Sequence, residues 1–131
     1  MNIKDKILNK TFFIAEIGIN HNGDLDTAKA LIEAAKFSGC DIVKFQKRVP
    51  EICVPKDQWK IKKETPWGKI DYIDYKNRIE FGIKEYKEID LFCKKIGISW
   101  TASCWDEDSV EFIKKFDIPF LKIPSALITN L

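Results

Sequence analysis

The chain has 131 residues, 45% of them hydrophobic and 32% charged, which is the balance of one globular domain and excludes a fibrous or disordered chain. Its formal net charge of +2 is too small to indicate a nucleic-acid or membrane-surface partner. Because no apolar run reaches the ~18 residues of a membrane span and the first residues lack the apolar segment of a secretory signal, we expect a cytoplasmic protein.

Strands and helices are predicted to alternate from the start of the chain. Residues 12–19 form a near-continuous apolar run, which is typical of a strand buried on both faces. Asp24 is a candidate N-cap for a helix with one apolar side, and Gly39 is its candidate stop. Residues 42–46 (IVKFQ) predict a second strand.

The alternation continues in the second half of the chain. Residues 84–96 predict a helix that ends at Gly97, and residues 99–103 (SWTAS) predict a third strand. Asp106 is a candidate cap for a third helix, and residues 119–123 (PFLKI) predict a fourth strand. Each connection is long enough for a right-handed crossover between parallel strands.

This order predicts an α/β fold, a parallel sheet with helices packed outside it. Two architectures compete: an open doubly wound sheet, and the first half of a TIM (β/α)8 barrel. A complete barrel takes about 250 residues, so about four β/α units in this chain fit half of one. Residues 128–131 also resemble the start of a further helix. We therefore expect residues 1–131 to be the N-terminal portion of a barrel.

Residues 48–82 do not fit the repeat and are predicted to be a long insertion between the second strand and the second helix. Four aromatic residues argue against disorder: Trp59, Trp67, Tyr72 and Tyr75. A connection from strand to helix emerges at the barrel end where active sites lie. The insertion is interpreted either as a surface cover or as a lid or subunit contact over that mouth.

The cysteines and histidines offer little material for a metal site. The four cysteines form no Cys-x-x-Cys pair, so we expect reduced, mostly buried thiols at Cys40, Cys53, Cys93 and Cys104. The single histidine, His21, excludes a His-rich metal site and a Ser-His-Asp triad. We expect no metal ligand set within this chain.

Three charged residues interrupt the apolar strands: Glu16, Lys44 and Lys122. A buried charge is costly unless it is paired or used. One explanation is a structural salt bridge, for example between Glu16 and Lys44 across adjacent strands. The other is an anion site lined by the two lysines, with hydroxyl donors from Ser103 and Ser125 at the ends of the third and fourth strands. Such a set suits phosphate better than a carboxylate.

Residues 20–23 (NHNG) follow the first strand and have two interpretations. They fit a tight turn with positive φ, which Gly23 and the asparagines tolerate. They would also present the amide of Asn20 and the imidazole of His21 to a polar substrate at the barrel mouth.

Five segments, in this order, resemble the sialic acid (N-acetylneuraminate) synthase family over nearly the whole chain. They are AEIGINHNG (15–23), VKFQ (43–46), TPWGKIDYIDYKNRIEFG (65–82), WDEDSVEF (105–112) and LKIPSALITN (121–130). The resemblance implies a TIM barrel followed by an antifreeze-like domain, usually in a homodimer. It implies condensation of phosphoenolpyruvate with an N-acylated hexosamine such as N-acetylmannosamine, with release of phosphate. It also implies a divalent metal, typically manganese, whose histidine ligands lie beyond Leu131.

The resemblance also implies roles for individual residues. The positions that match the site for the phosphate of phosphoenolpyruvate are Lys44, Ser103, Lys122 and Ser125. Glu16 matches the glutamate beside the reacting centre, and Gln46 matches a polar substrate contact. The implied chemistry is attack of the enol carbon on the sugar aldehyde, followed by addition of water. Leu127 departs from the family, because many members have a glutamate there.

Two other functions are compatible with the residues. A phosphoenolpyruvate-condensing barrel of the deoxy-octulosonate or deoxy-heptulosonate phosphate type would accept phosphorylated sugars. It would need a second anion site, for which the sequence displays no spare basic cluster. A non-catalytic half-barrel would instead bind a partner or a sugar phosphate. We also expect the 131 residues alone neither to bind manganese tightly nor to turn over substrate.

Overall fold

The computed structural model describes residues 11–129, and its centre is a three-stranded parallel sheet. The strands are β1 (Ile14–Gly18), β2 (Ile42–Lys47) and β5 (Ser99–Cys104), in the order β1-β2-β5. In the register, Glu16 lies opposite Lys44, and Gln46 lies opposite Ser103. The predicted α/β fold with parallel strands is confirmed.

Three helices connect or follow these strands: α1 (Leu25–Phe37), α4 (Ile83–Ile96) and α5 (Glu107–Ile113). The predicted helix signals are confirmed. The Asp24 carboxylate accepts a hydrogen bond from Thr27 N at 2.7 Å, and Asp106 accepts one from Ser109 N at 2.7 Å. Gly97 ends α4 in the left-handed region, with φ of 73°. No helix within residues 11–129 is long and apolar enough to cross a membrane.

The sheet separates an apolar face from a polar one. Because strand side chains alternate, every second residue of β2 and β5 reaches the helices. These core residues are Val43, Phe45, Trp100 and Ala102. Tyr86 of α4 is fully buried among them and makes aromatic contacts with Phe45 and Trp100. The intervening residues, on the opposite face, are Lys44, Gln46, Thr101 and Ser103.

Residues 48–82 contain secondary structure of their own. In chain order they form α2 (Pro50–Cys53), a 3-10 turn (Lys56–Gln58), a hairpin of β3 (Lys62–Thr65) and β4 (Gly68–Asp71), and α3 (Tyr72–Ile79). The beginning of this segment is tied to the residues that follow β5, because the Asp106 carboxylate accepts a hydrogen bond from Val49 N at 2.7 Å. Cys53 Sγ also donates to Asp106 Oδ2. The four cysteines are free thiols.

The predicted strand at residues 119–123 is wrong. Only Lys122 forms a bridge, parallel to Ser103, where Cys104 N donates to the Lys122 carbonyl at 3.2 Å. The proline at each end of this stretch lacks the N–H group that a ladder requires, so the pairing does not extend. The predicted burial of the first strand on both faces is also wrong at its start. Phe13 and Ile14 are exposed, because β1 lies at the edge of the described sheet.

Candidate functional site

Lys44 is the centre of the polar face of the sheet. Its side chain is buried, with 8% of the residue exposed, and Nζ donates to Ser103 Oγ at 2.9 Å. Nζ also forms an ion pair with the Glu16 carboxylate, whose side chain is 48% exposed. The structure therefore brings three predicted site residues together, and it shows the Glu16–Lys44 salt bridge that was one of the two explanations for these charges. An anion that approaches Lys44 would do so past the half-exposed Glu16 carboxylate.

A glycine allows Glu16 to approach Gln46. The β1 strand is irregular between Glu16 and Gly18, and Gly18 has φ of 57°. A Cβ atom on Gly18 would lie 3.0 Å from Glu16 Oε1 and 3.3 Å from Gln46 Nε2. Because Gly18 has no side chain, the Glu16 carboxylate and the Gln46 amide can both lie against its backbone. Gln46 is therefore part of the site around Lys44.

We expect Gly18→Ala to cost about 1–2 kcal/mol of unfolding free energy, because an L side chain is strained at this φ. It should also weaken the binding of inorganic phosphate at Lys44, because the new methyl group displaces Glu16 or Gln46. Gly39→Ala is the matched control, since Gly39 has φ of 82° but nothing within 4 Å of its ideal Cβ. Chemical denaturation and calorimetric titration measure the two effects. Equal affinity of both variants for inorganic phosphate would contradict the role of Gly18.

Lys122 and Ser125, the other two residues of the predicted phosphate site, follow β5 in the chain. The Lys122 backbone bridges to Ser103, so this residue follows the polar face. Ser125 is exposed and begins a 3-10 turn (Ser125–Leu127) instead of following a strand. Within residues 11–129, no hydrogen bond or ion pair joins either side chain to Lys44. Their phosphate-binding role stays a prediction.

The segment 20–23 forms the tight turn that the sequence predicted, with φ of 50° at Asn22 and 74° at Gly23. His21 is only 2% exposed, and its ring stacks on Phe81 with centroids 4.0 Å apart. His21 Nδ1 accepts a hydrogen bond from Gly23 N at 3.0 Å, and Asn20 Nδ2 donates to the Ile17 carbonyl at 3.0 Å. His21 thus packs the turn, and this burial disagrees with the predicted substrate contact for its imidazole.

The burial of His21 predicts a pH dependence of stability. Burial lowers the pKa of His21 from 6.5 to about 4. Between these values the unfolded chain binds a proton that the folded chain excludes, so the free energy of unfolding falls as the pH falls from 7 to 4, by up to about 3 kcal/mol. Denaturation at several pH values should give a flatter profile for His21→Asn, whose amide oxygen keeps an acceptor for Gly23 N. Parallel profiles would contradict a neutral buried imidazole.

A second buried charged cluster lies at the end of β2, and the sequence analysis missed it. Arg48 Nε lies 3.2 Å from Glu80 Oε1, and Lys47 Nζ lies 3.4 Å from Glu80 Oε2. Burial raises the pKa of Glu80, and the two cations oppose that rise. Arg48 also stacks on Trp105, with its guanidinium carbon 4.7 Å from the ring centroid. The alternation Lys44, Gln46, Arg48 was a signal that the polar face extends past the strand.

A cavity of about 450 Å³ adjoins this cluster. Its polar and aromatic lining includes Gln46, Arg48, Cys53, Tyr72, Lys76 and Trp105. Gln46 lies between the cavity and the Lys44 site. It lines the cavity, its Oε1 accepts a hydrogen bond from the Arg48 guanidinium, and its Nε2 lies beside Glu16 at Gly18. Burial raises the pKa of the Cys53 thiol to about 12, so this cysteine is not an activated nucleophile.

The described residues do not supply a metal site. Within residues 11–129, no three His, Cys, Asp or Glu side chains are close enough together to hold a metal ion. Glu16, the acidic residue of the site, is already paired with Lys44. This donor set, one carboxylate beside a lysine, does not fit a divalent cation.

Comparison with known proteins gives one consistent picture. The model of the NeuB family matches residues 31–131. The N-acetylneuraminate-9-phosphate synthase of Mus musculus is 40% identical over 121 residues, covering 91% of this chain and 33% of that protein. The N,N'-diacetyllegionaminic acid synthase of Campylobacter jejuni is 38% identical over 128 residues, covering 95% of this chain and 38% of that protein.

A solved structure is similar in fold as well. The N-acetylneuraminic acid (sialic acid) synthetase from Leptospira borgpetersenii, in complex with citrate, superimposes with a TM-score of 0.79 at 28% sequence identity. The match covers 93% of this chain and 39% of that one. The chain thus spans about a third of the length of the curated relatives it matches.

Proposed function

The chain belongs to the NeuB family, and we propose that it forms the N-terminal part of the catalytic barrel of a nonulosonic (sialic) acid synthase. This enzyme condenses phosphoenolpyruvate with an N-acylated hexosamine such as N-acetylmannosamine and releases phosphate. Residues 1–131 supply the first β/α units, and the insertion at residues 48–82 lies at the mouth. The complete protein is a cytoplasmic homodimer, as the family resemblance suggests.

The single observation that carries this proposal is the contact between buried Lys44 and Ser103 beside Glu16. A cation and a hydroxyl on the polar face, toward the carboxyl ends of parallel strands, suit a phosphate group. Without substrate, the Glu16 carboxylate compensates the charge of Lys44. A phosphate carries the same sign of charge, so it can take over Lys44 and release Glu16.

The proposed reaction uses the released carboxylate. The enol carbon of phosphoenolpyruvate attacks the sugar aldehyde and forms the new C–C bond. The C=O π bond of the aldehyde breaks, its oxygen takes up a proton to become a hydroxyl group, and a cationic carbon is left next to the carboxyl group. Water adds to this carbon, and the C–O bond to phosphate then breaks. Glu16 stabilises the cation or accepts the proton of water, while Lys44 and Lys122 offset the charge of the departing phosphate. A divalent metal, manganese by resemblance, would be held by residues outside this chain and would polarise the sugar aldehyde.

Two experiments test this function. The reading frame downstream of Leu131 should encode the rest of a barrel of about 250 residues, including two histidines at strand ends. A stop codon directly after Leu131 would overturn the catalytic proposal for this product. If the frame continues, the complete protein should convert phosphoenolpyruvate and N-acetylmannosamine, or its 6-phosphate, into equal amounts of phosphate and a nonulosonic acid.

The alternative condensing barrels are distinguished by the acceptor. The deoxy-octulosonate and deoxy-heptulosonate types extend a pentose or tetrose phosphate that has no N-acyl group. Exclusive turnover of such sugars would overturn the proposed substrate class. Absence of any reaction, together with retained binding of phosphoenolpyruvate, would favour the non-catalytic module.

A further inference from the structure

Arg48 is a buried cation that the proposed reaction does not use. It follows β2 directly, and 7% of the residue is exposed. Its Nε lies 3.2 Å from Glu80 Oε1, and its guanidinium carbon lies 4.7 Å from the centroid of the Trp105 ring. The backbone N–H of Arg48 also donates to Glu80 Oε2 at 3.3 Å. An anion and an aromatic ring therefore fix the guanidinium in place.

The guanidinium determines the orientation of the Gln46 amide. It donates to Gln46 Oε1. Because a guanidinium has N–H donors and no acceptor, only the oxygen end of an amide can bond to it. The nitrogen end is therefore turned the other way, towards the first strand. The ideal Cβ position of Gly18 lies 3.3 Å from Gln46 Nε2 and 3.0 Å from Glu16 Oε1. Arg48 thus selects one of the two orientations that are open to this amide.

The selected orientation suits the Glu16 carboxylate, which has only acceptors when it is ionised. In the structure this carboxylate is paired with Lys44. Under the proposed function the phosphate of phosphoenolpyruvate takes over Lys44, so the released carboxylate needs another donor. Gln46 Nε2 has no hydrogen-bond acceptor within residues 11–129 and is available for this contact. An amide turned the other way would present its oxygen to the carboxylate, and two acceptors would then face each other.

We propose that Arg48 is a positioning residue for the condensation, acting through Gln46 on Glu16. Glu80 in turn holds the guanidinium in the orientation that this role needs. After phosphate has taken over Lys44, Gln46 Nε2 donates to the Glu16 carboxylate and keeps it beside the reacting carbon. The inference rests on the proposed function, in which Glu16 stabilises the cation or accepts the proton of water.

The test compares two replacements of Arg48 in the complete protein. Arg48→Gln keeps a polar side chain, but its own amide has a donor end and an acceptor end, so it accepts either orientation of Gln46. We expect kcat to fall about tenfold, as for one lost hydrogen bond, and the phosphoenolpyruvate affinity to stay unchanged in calorimetric titration. Arg48→Lys keeps a cation with donors only and should restore most of kcat. Both variants leave Glu80 paired with Lys47, so the fold should tolerate them.

A double-mutant cycle tests whether Arg48 acts through Gln46. Gln46→Leu removes the amide and should itself lower kcat, so that adding Arg48→Gln to it has little further effect. Lys47→Gln is the matched control. Lys47 is also buried and also pairs with Glu80, but its Nζ donates to the Phe81 carbonyl instead of to Gln46. This control should retain kcat.

The outcomes separate this inference from the proposed function. If the parent condenses its substrates, an unchanged kcat in Arg48→Gln, or additive falls in the cycle, would overturn the inference and leave the synthase intact. An equal fall in Lys47→Gln would also overturn it, because general disturbance of the cluster would then explain the effect. If Arg48→Gln does not fold, Glu80→Gln replaces it, and an unchanged kcat there would overturn the inference in the same way. A parent without activity would overturn the proposed function, and the inference with it.

Discussion

Replacing Lys44 by methionine should weaken the binding of phosphoenolpyruvate by about a hundredfold or more, because the buried cation that would donate to phosphate under the proposed function is lost. The methionine side chain occupies similar volume, so packing on the polar face is retained. Glu16 loses its partner, but its carboxylate is half exposed and water can solvate it, so the fold should tolerate the change. Calorimetric titration of the complete protein with phosphoenolpyruvate measures the affinity.

Two further variants make this result specific to Lys44. Lys44→Arg keeps the charge and should retain part of the affinity, although the larger guanidinium does not reproduce the contact with Ser103. Lys36→Met removes an exposed lysine whose Nζ donates to the Gly97 carbonyl. Gly97 lies before the first residue of β5, away from the carboxyl end that carries Ser103, so this variant should leave binding unchanged. Unchanged affinity in Lys44→Met would remove Lys44 from the phosphate site.

The second large effect is expected at Glu16, with opposite signs for binding and catalysis. Glu16→Gln should lower kcat by about a hundredfold or more, as is typical when a proton-transfer group is lost. The same variant should bind phosphoenolpyruvate as tightly as the parent or more tightly, because the carboxylate no longer competes with phosphate for Lys44. Titration and steady-state kinetics on one preparation measure both quantities.

The opposite pattern would assign Glu16 a different role. If Glu16→Gln weakens phosphoenolpyruvate binding and leaves kcat unchanged, Glu16 only supports the position of Lys44. Glu33→Gln serves as the control, since Glu33 is an exposed acid on α1 and should change neither quantity.

The parts of the fold that depend on local chemistry could be predicted from the sequence. Asp24 and Asp106 cap their helices through residues three positions away, so the signals lie close together in the chain. The run at 119–123 has the composition of a strand, but its flanking prolines limit pairing to Lys122. Pairing depends on what lies beside a segment, which a composition pattern does not contain.

The candidate site also has residues that the sequence predicts and residues that it does not. Glu16, Lys44 and Ser103 were predictable because charged and hydroxyl side chains interrupt apolar strands whose parallel register brings them together. Lys76 and Glu80 were not predictable, because they come from the insertion, and only its folded form places them beside Arg48. Arg48 could have been predicted, because it continues the alternation of Lys44 and Gln46 one residue past the end of β2.

Asp106 restricts how the insertion can move. Its carboxylate caps α5 through Ser109 and also holds Val49 N and Cys53 Sγ, so one group fastens two distant segments. Swinging the first residues of the insertion outward would uncap α5 at the same time. Any displacement of the insertion that leaves α5 capped is therefore confined to the residues after Cys53, while residues 49–53 stay anchored. Arg48 precedes this anchor and Lys76 follows it, so the cavity that both residues line joins the fastened part of the chain to the part beyond the anchor.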